Sequence, residues 1–274
     1  MKNINRILIP FDLREESYNA ILHAEFIARL ANSEIVLLHL VKHESDIPYG
    51  QNELNKWADR IRETFEGSVK TIVEEGELAT TIDEIAKLQN CGLVVMPTHG
   101  MRGLQRITGS LALKVVSEST APFIIVQQRH IRSEGYKKIV IPVTFRQQLL
   151  EEANFFAEMA RLFSGEIYFI AQQVASDHDE ELIAQVEAVF SSAQIPFSLH
   201  IETDHKPFAK SVVGYAASLD ADLICAVNFS FEYLYTLFPR TEEEDLIYNE
   251  AQIPVLLITP EQQDDSVYYI PMWH

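Results

Sequence analysis

The stretch Leu93–Val116, LVVMPTHGMRGLQRITGSLALKVV, decides how this chain is read. Leu93–Met96 is a short continuous apolar run, the pattern of a buried strand. Thr98, His99, Gly100 and Gly103 predict a turn. Gly109 and Ser110 then open an amphipathic segment, Leu111–Val116. Strand, glycine-bearing loop and helix start follow one another. Glycine lets backbone approach a ligand closely and tolerates positive φ. A helix N-terminus offers unpaired N–H groups at the positive end of its dipole. The combination suits a phosphate, although turns and helix caps that bind nothing use the same residues.

Upstream, Arg6–Phe11 reads as a buried strand that Asp12 ends. The carboxylate stands where open α/β sheets bind ligands; a cap for the following helix is the other use of such a residue. Ala20, Ala24, Ile27, Ala28 and Ala31 have helical spacing within Ser17–Ala31. Ile35–Val41 is a second strand. Lys42–Gly50 is expected to be a loop, with Pro48 and Gly50 as breakers. A helix over Leu54–Phe65, a strand over Val69–Val73 and a helix over Thr81–Leu88 follow. Pro122–Val126 is a fifth strand. Alternating strands and helices imply a parallel, doubly wound sheet.

The order then begins again. Ile9-Pro10 recurs as Ile141-Pro142, and Pro122 recurs as Pro254, at the same offset of 132 residues. Two ends of a unit sharing one offset indicate duplication. Ile167–Ala171, Glu180–Phe190, Phe197–Ile201 and Val212–Leu219 match elements of the first unit. The expectation is an α/β protein of two repeated doubly wound domains, 1–130 and 137–274, each with a five-stranded parallel sheet flanked by helices. A polar linker with Gly135 inside it lies around Gln127–Tyr136. The repeat diverges where chemistry is expected: Thr144 stands in place of Asp12, and the counterpart of the glycine loop, 228–241, has no glycine and carries aromatic residues.

These residues resemble the universal stress protein family in its tandem form. The resemblance rests on Ile7–Asp12, Val36–Val41, Thr98–Leu104, Gly109-Ser110 and Ala121–Val126, and it spans almost the whole chain. It implies a five-stranded parallel sheet in each half, and an adenine nucleotide, ATP or AMP, as ligand of some members. Carried over by position, Asp12 would hold the adenosine part, with Pro10 and Val41 lining the adenine pocket and Met96 beside the nucleotide. Gly100, Gly109 and Ser110 would hold phosphates, and Leu111 would follow at the helix start. There are two departures. Pro97 occupies the place of the first glycine and has no N–H, and the spacer Met101–Thr108 is one residue shorter than in nucleotide-binding members. The resemblance says nothing about magnesium. It also implies association through the fifth strands, satisfied here within one chain by 122–126 and 254–258 as a pseudo-dimer; further homo-oligomerisation is compatible with it.

Composition narrows the classes. The chain has 274 residues, 22 basic against 40 acidic, and a net charge of −18. A nucleic-acid binder is expected to show a basic face, and an anionic lipid surface is equally disfavoured. Residues 1–131 carry net −3 and residues 132–274 carry net −15, so an anionic ligand meets less repulsion on the first half. Two cysteines make no disulfide framework. No apolar run approaches the roughly 20 residues of a membrane span, and no signal segment opens the chain. A cytoplasmic location is expected.

Three functions remain. The first is a stress-response or regulatory protein with one nucleotide site in the first half. The second is a ligand-free interaction protein with an unknown protein partner; the apolar stretch Val267–His274, costly to leave in water, belongs to this reading. An enzyme is the third, yet no acid–base pair, nucleophile–base motif or dense metal-ligand cluster is recognisable. His178 between Asp177 and Asp179 reads as solvated loop.

Overall fold

Four consecutive buried residues close β1 (Arg6–Pro10), as a strand covered on both faces requires. Its side chains alternate between two cores: Ile7 and Ile9 enter one cluster, Leu8 the other. The same pattern recurs down the chain. The computed structural model describes residues 4–98, 115–116, 119, 121–143, 147–172, 176–203, 206–227 and 243–258. After β1 come α1 (Tyr18–Ala31), β2 (Glu34–Val41), α2 (Ile47–Arg62), β3 (Val69–Glu75), α3 (Leu78–Leu88), β4 (Leu93–Pro97) and β5 (Phe123–Val126). The second half runs β6 (Lys138–Pro142), α4 (Gln147–Phe163), β7 (Glu166–Ala171), α5 (Asp177–Ala193), β8 (Phe197–Ile201), α6 (Phe208–Ser218), β9 (Leu223–Val227), α7 (Glu243–Ile247) and β10 (Val255–Ile258).

The ten strands among the described residues form one sheet, in the order β3-β2-β1-β4-β5-β10-β9-β6-β7-β8. Strand neighbours within each half are parallel, and the halves meet through an antiparallel pair, with Val255 opposite Ile125 and Leu257 opposite Phe123. Every residue of β5 and β10 is buried. The expected pseudo-dimer pairing is therefore present, and it converts two apolar edges into the centre of the sheet. Ala20, Ala24, Ile27 and Ala28 of α1 all face the core, and Asn32, at φ 53, stops the helix in the left-handed conformation.

One expectation needs correction. The expected loop Lys42–Gly50 is largely helical. A 3-10 turn covers Glu44–Asp46 and α2 starts at Ile47, with Pro48 in its first turn, where no N–H is needed. Gly50 is not a breaker. A Cβ there would lie 3.1 Å from both His39 and Val73 side chains, so glycine lets α2 settle close on β2 and β3. The linker Gln127–Tyr136 is anchored on both halves. Tyr136 is 1% exposed and sits edge-on to Phe26 and Phe163, one from each half. Gly135 has φ +75, and a Cβ on it would collide with the Phe26 ring. Asn19 donates to the carbonyls of Gln127 and Arg129, each at 2.8 Å, so two of the segment's carbonyls are satisfied on α1.

Candidate functional site

In the first half the strand order reverses between β1 and β4, the place where open α/β sheets hold ligands. β1 pairs with β2 over all five residues, Arg6–Pro10, but with β4 only through Ile7–Leu93 and Leu8–Val94. The carboxyl ends of β1 and β4 therefore part, and a crevice opens. The cause lies in the backbone. Phe11 N–H donates to Leu38 on β2, while the Arg6 carbonyl accepts from Gly92 on the β4 side. Main-chain groups alternate sides along a strand, so Pro10 faces β4 and has no N–H to offer. Val94 and Thr98 N–H groups donate toward β5, to Pro122 and Val126. By the same alternation Pro97 faces β1, again without a donor. Two prolines thus end the ladder from both walls.

Asp12 stands at the mouth of this crevice. Leu13 behind it has φ 64, an uncommon conformation for a residue with a Cβ. The turn is held by the Arg14 N–H, 3.3 Å from Asp12 Oδ1. The Asp12 side chain is 10% exposed. Its Oδ2 has no hydrogen-bond donor among the described residues; Arg14 Nε is 3.7 Å away, beyond hydrogen-bond range. Burial raises the carboxyl pKa, against the opposing pull of the Ser17 hydrogen bond and the Arg14 charge. A buried carboxylate oxygen with an open lone pair is an acceptor awaiting a donor.

Pro10 is buried at the end of β1 opposite Leu38, and Val41, 7% exposed, ends β2 three residues farther along. Gly50 of α2 approaches Val41 closely: a Cβ on it would lie 3.4 Å from Cγ1. His39 Nδ1 is 2.9 Å from the Phe11 carbonyl, tying β2 to the turn that carries Asp12. Met96 is fully enclosed, in the core cluster that also takes in Leu8, Val36 and Phe123, so its side chain is core. Gly100, Gly109, Ser110 and Leu111 lie outside the described residues, as do Thr144 and the aromatic stretch 228–241. Sequence reasoning missed Leu13, Gly50 and the direction in which Pro10 and Pro97 face. Gly50 left a signal, a glycine beside a helix-compatible Pro48; the other two required strand register.

Among the described residues no three of His, Cys, Asp and Glu gather in a way that would hold a metal ion. His178 lies in the first turn of α5, behind a Ser176 cap. Burial pushes the Cys91 thiol up to about 11 and raises that of Cys225 as well, so neither is poised as a nucleophile. Among the described residues no helix is long and apolar enough to cross a membrane.

The second half repeats the crevice. β6 pairs with β9 only through Ile139–Leu223 and Val140–Ile224. Val143 N–H donates to Ile170, while the Lys138 carbonyl accepts from Asp222, which turns Pro142 toward β9. Val227 takes the place of Pro97.

Residues 3–127 match the model of the universal stress protein family. A curated relative, universal stress protein MJ0531 of Methanocaldococcus jannaschii, is 28% identical over 140 aligned residues, covering 45% of this chain and 82% of the relative. Among solved structures, a universal stress protein from Archaeoglobus fulgidus matches with TM-score 0.74 at 15% identity, over 94% of this chain and 97% of its own. A putative universal stress protein from Pseudomonas aeruginosa matches with TM-score 0.66 at 21% identity, over 95% of each chain. At these identities the structures share the fold, across both halves.

Proposed function

Residues 3–127 belong to the universal stress protein family, and from that premise we propose that the first half binds an adenine nucleotide, ATP or AMP, in a stress-response or regulatory role. One observation carries the reading: a crevice held open at the switch point, with the unfilled Oδ2 of Asp12 at its mouth. A ribose hydroxyl or an adenine amino group supplies the donor that this oxygen lacks. Val41 and the close packing of Gly50 offer an apolar wall for a base. Gly100, Gly109 and Ser110 are assigned to the phosphates by their positions in the sequence.

A competing reading is a ligand-free interaction protein. It draws on Pro97, which ends β4 and offers no N–H to a phosphate on the crevice side.

Calorimetry on nucleotide-stripped protein, with and without magnesium, separates the two. One site per chain with a Kd on the order of micromolar, about −8 kcal/mol, is the expected result. Asp12→Ala should weaken it about tenfold to a hundredfold, the loss of one hydrogen bond to a charged group. No heat with either nucleotide would leave the interaction protein as the reading.

A further inference from the structure

The turn that carries Asp12 is held from outside by α2. Asp12 is bonded within its own turn, by the Arg14 N–H and the Ser17 hydroxyl. Ser17 is fully buried, and the residues on either side of it are the ones that α2 grips. Trp57 of α2 meets Phe11, before the turn, edge-on with ring centroids 5.0 Å apart, and Tyr18, after it, at 5.8 Å. Arg60, one helical turn farther on, lays its guanidinium over the Tyr18 ring at 4.2 Å and the Trp57 ring at 5.1 Å. The same group donates to Glu15 Oε1 at 2.6 Å. One cation thus bonds residue 15 and stacks on residue 18, with Ser17 between them. An exposed ion pair alone holds a side chain weakly. A guanidinium that also stacks on two rings is held in one place.

The fold does not require this clamp. By their buried residues, α1 matches α4, with Ala20, Ala24 and Ala28 against Glu152, Phe156 and Ala160, and α2 matches α5, with Leu54 and Ala58 against Leu182 and Val186. In that register Gln147, Leu150, Gln185 and Ala188 stand for Glu15, Tyr18, Trp57 and Arg60, and Thr144 stands for Asp12. The second half builds the same parallel strand order with neither the acid nor the cation. The clamp accompanies the carboxylate.

Resting on the nucleotide reading above, we propose that Arg60 is a positioning residue for the site: by pinning Glu15 and Tyr18 it fixes the Ser17–Asp12 pair, and so aims the open Oδ2 of Asp12 into the crevice. With the Arg14 and Ser17 bonds in place, Oδ2 is the oxygen left for a ligand donor. If the turn slips, Ser17 lets go and the carboxylate loses its fixed direction, on which a ligand hydrogen bond depends.

Two variants that remove opposite charges test this. Arg60→Ala removes a cation near an anionic ligand, and Glu15→Ala removes an anion. Through charge alone the first would weaken ATP binding and the second would strengthen it. The clamp requires both to weaken it in calorimetry, about fivefold for Arg60→Ala and about twofold to threefold for Glu15→Ala. In the Asp12→Ala background neither change should have a further effect, since the clamp acts through that carboxylate. The ligand-free protein gives a second readout. The Asp12 carboxyl, followed by carbon-13 NMR, should titrate at higher pH in both variants, because the Ser17 hydrogen bond that lowers it is loosened. In Glu15→Ala the loss of an anion would by itself move it to lower pH. Unchanged or tighter ATP binding by Glu15→Ala, or equal losses with and without Asp12, overturns the proposal. Absence of ATP binding by the wild type overturns the nucleotide reading instead, and the titration then decides. An Asp12 carboxyl that titrates at the same or lower pH in Glu15→Ala removes Arg60 from the site.

Discussion

The two crevices are built alike and furnished differently. In both halves an Ile-Pro pair closes the first strand and turns the missing N–H of the proline toward the neighbour across the switch point, so the ladder stops after two residue pairs. The opening is thus a property of the backbone. The acid is not: Asp12 in the first half corresponds to Thr144 in the second, and the glycines of 100–109 have no counterpart in 228–241. A duplicated fold can keep its cleft after the side chains have diverged, so a crevice without the side chains to furnish it does not by itself indicate a ligand. What separates the two crevices is one buried carboxylate and one loop.

The largest test of the comparison is to separate the halves. By the alternation along β5 the Ile125 N–H points at β10, and Ile125 stands opposite Val255. Ile125→Pro removes that inter-half donor and a side chain that is 1% exposed. A proline inside the sheet removes a ladder hydrogen bond and leaves a buried carbonyl unpaired, which costs about 1–3 kcal/mol, and the lost packing adds about 2. At roughly 2–4 °C per kcal/mol for a chain of this size, the melting temperature should fall on the order of 10 °C. Two transitions in calorimetry would show that each half is stable without its neighbour. A wild-type melting curve would remove the central pairing from the account.

Next in size is the seam between the halves. His23 of α1 is 1% exposed, with Nδ1 2.6 Å from the Tyr136 hydroxyl and Nε2 3.0 Å from the Arg129 carbonyl. The corresponding position on α4 is the half-buried Phe155, so only the first half grips the connecting segment in this way. Burial lowers the His23 pKa to about 4, against the help of the Arg129 carbonyl and with a further push from His130. The unfolded chain takes up the proton near pH 6.5. Between those values the unfolded state binds more protons, so stability falls as the pH drops from about 6.5 to about 4, by up to about 3 kcal/mol. In His23→Gln this portion of the pH dependence should vanish. Urea midpoints of both proteins at pH 7, 5.5 and 4.5 give the difference; parallel curves would mean that His23 does not carry it.

The parts legible in the sequence were those written in runs and spacings. Buried strands read as apolar runs, and the offset of 132 shared by Pro10–Pro142 and Pro122–Pro254 revealed the duplication. Features that depend on register or on a distant partner were hidden. Pro10 read as a pocket wall, but its effect on the β1–β4 ladder depends on which side of the strand it faces. Gly50 read as a breaker because His39 and Val73, the side chains it accommodates, lie on other elements. The connecting segment read only as a polar linker, because the burial of Tyr136 depends on Phe26 and Phe163 from opposite halves.

The smallest effect is the most discriminating, because function and packing predict opposite signs for it. If Asp12 serves the fold as a helix cap, Asp12→Asn should leave stability unchanged or lower it. If Asp12 is kept for a ligand, the buried charge is a burden while the crevice is empty. Its carboxyl pKa is raised in the folded state, chiefly by burial. The folded chain therefore holds the proton to higher pH than the unfolded one. Stability is lost as pH rises through that window, and the loss persists at neutral pH. Asp12→Asn removes the charge at nearly constant shape, so it should melt slightly above wild type at pH 7 while binding ATP about tenfold more weakly or worse. Thr144 already has no charge to remove, so no such gain is open to the second half. A higher melting temperature with weaker binding identifies a site maintained against stability. A lower melting temperature with no change in binding makes Asp12 a cap, and the two crevices then differ in sequence alone.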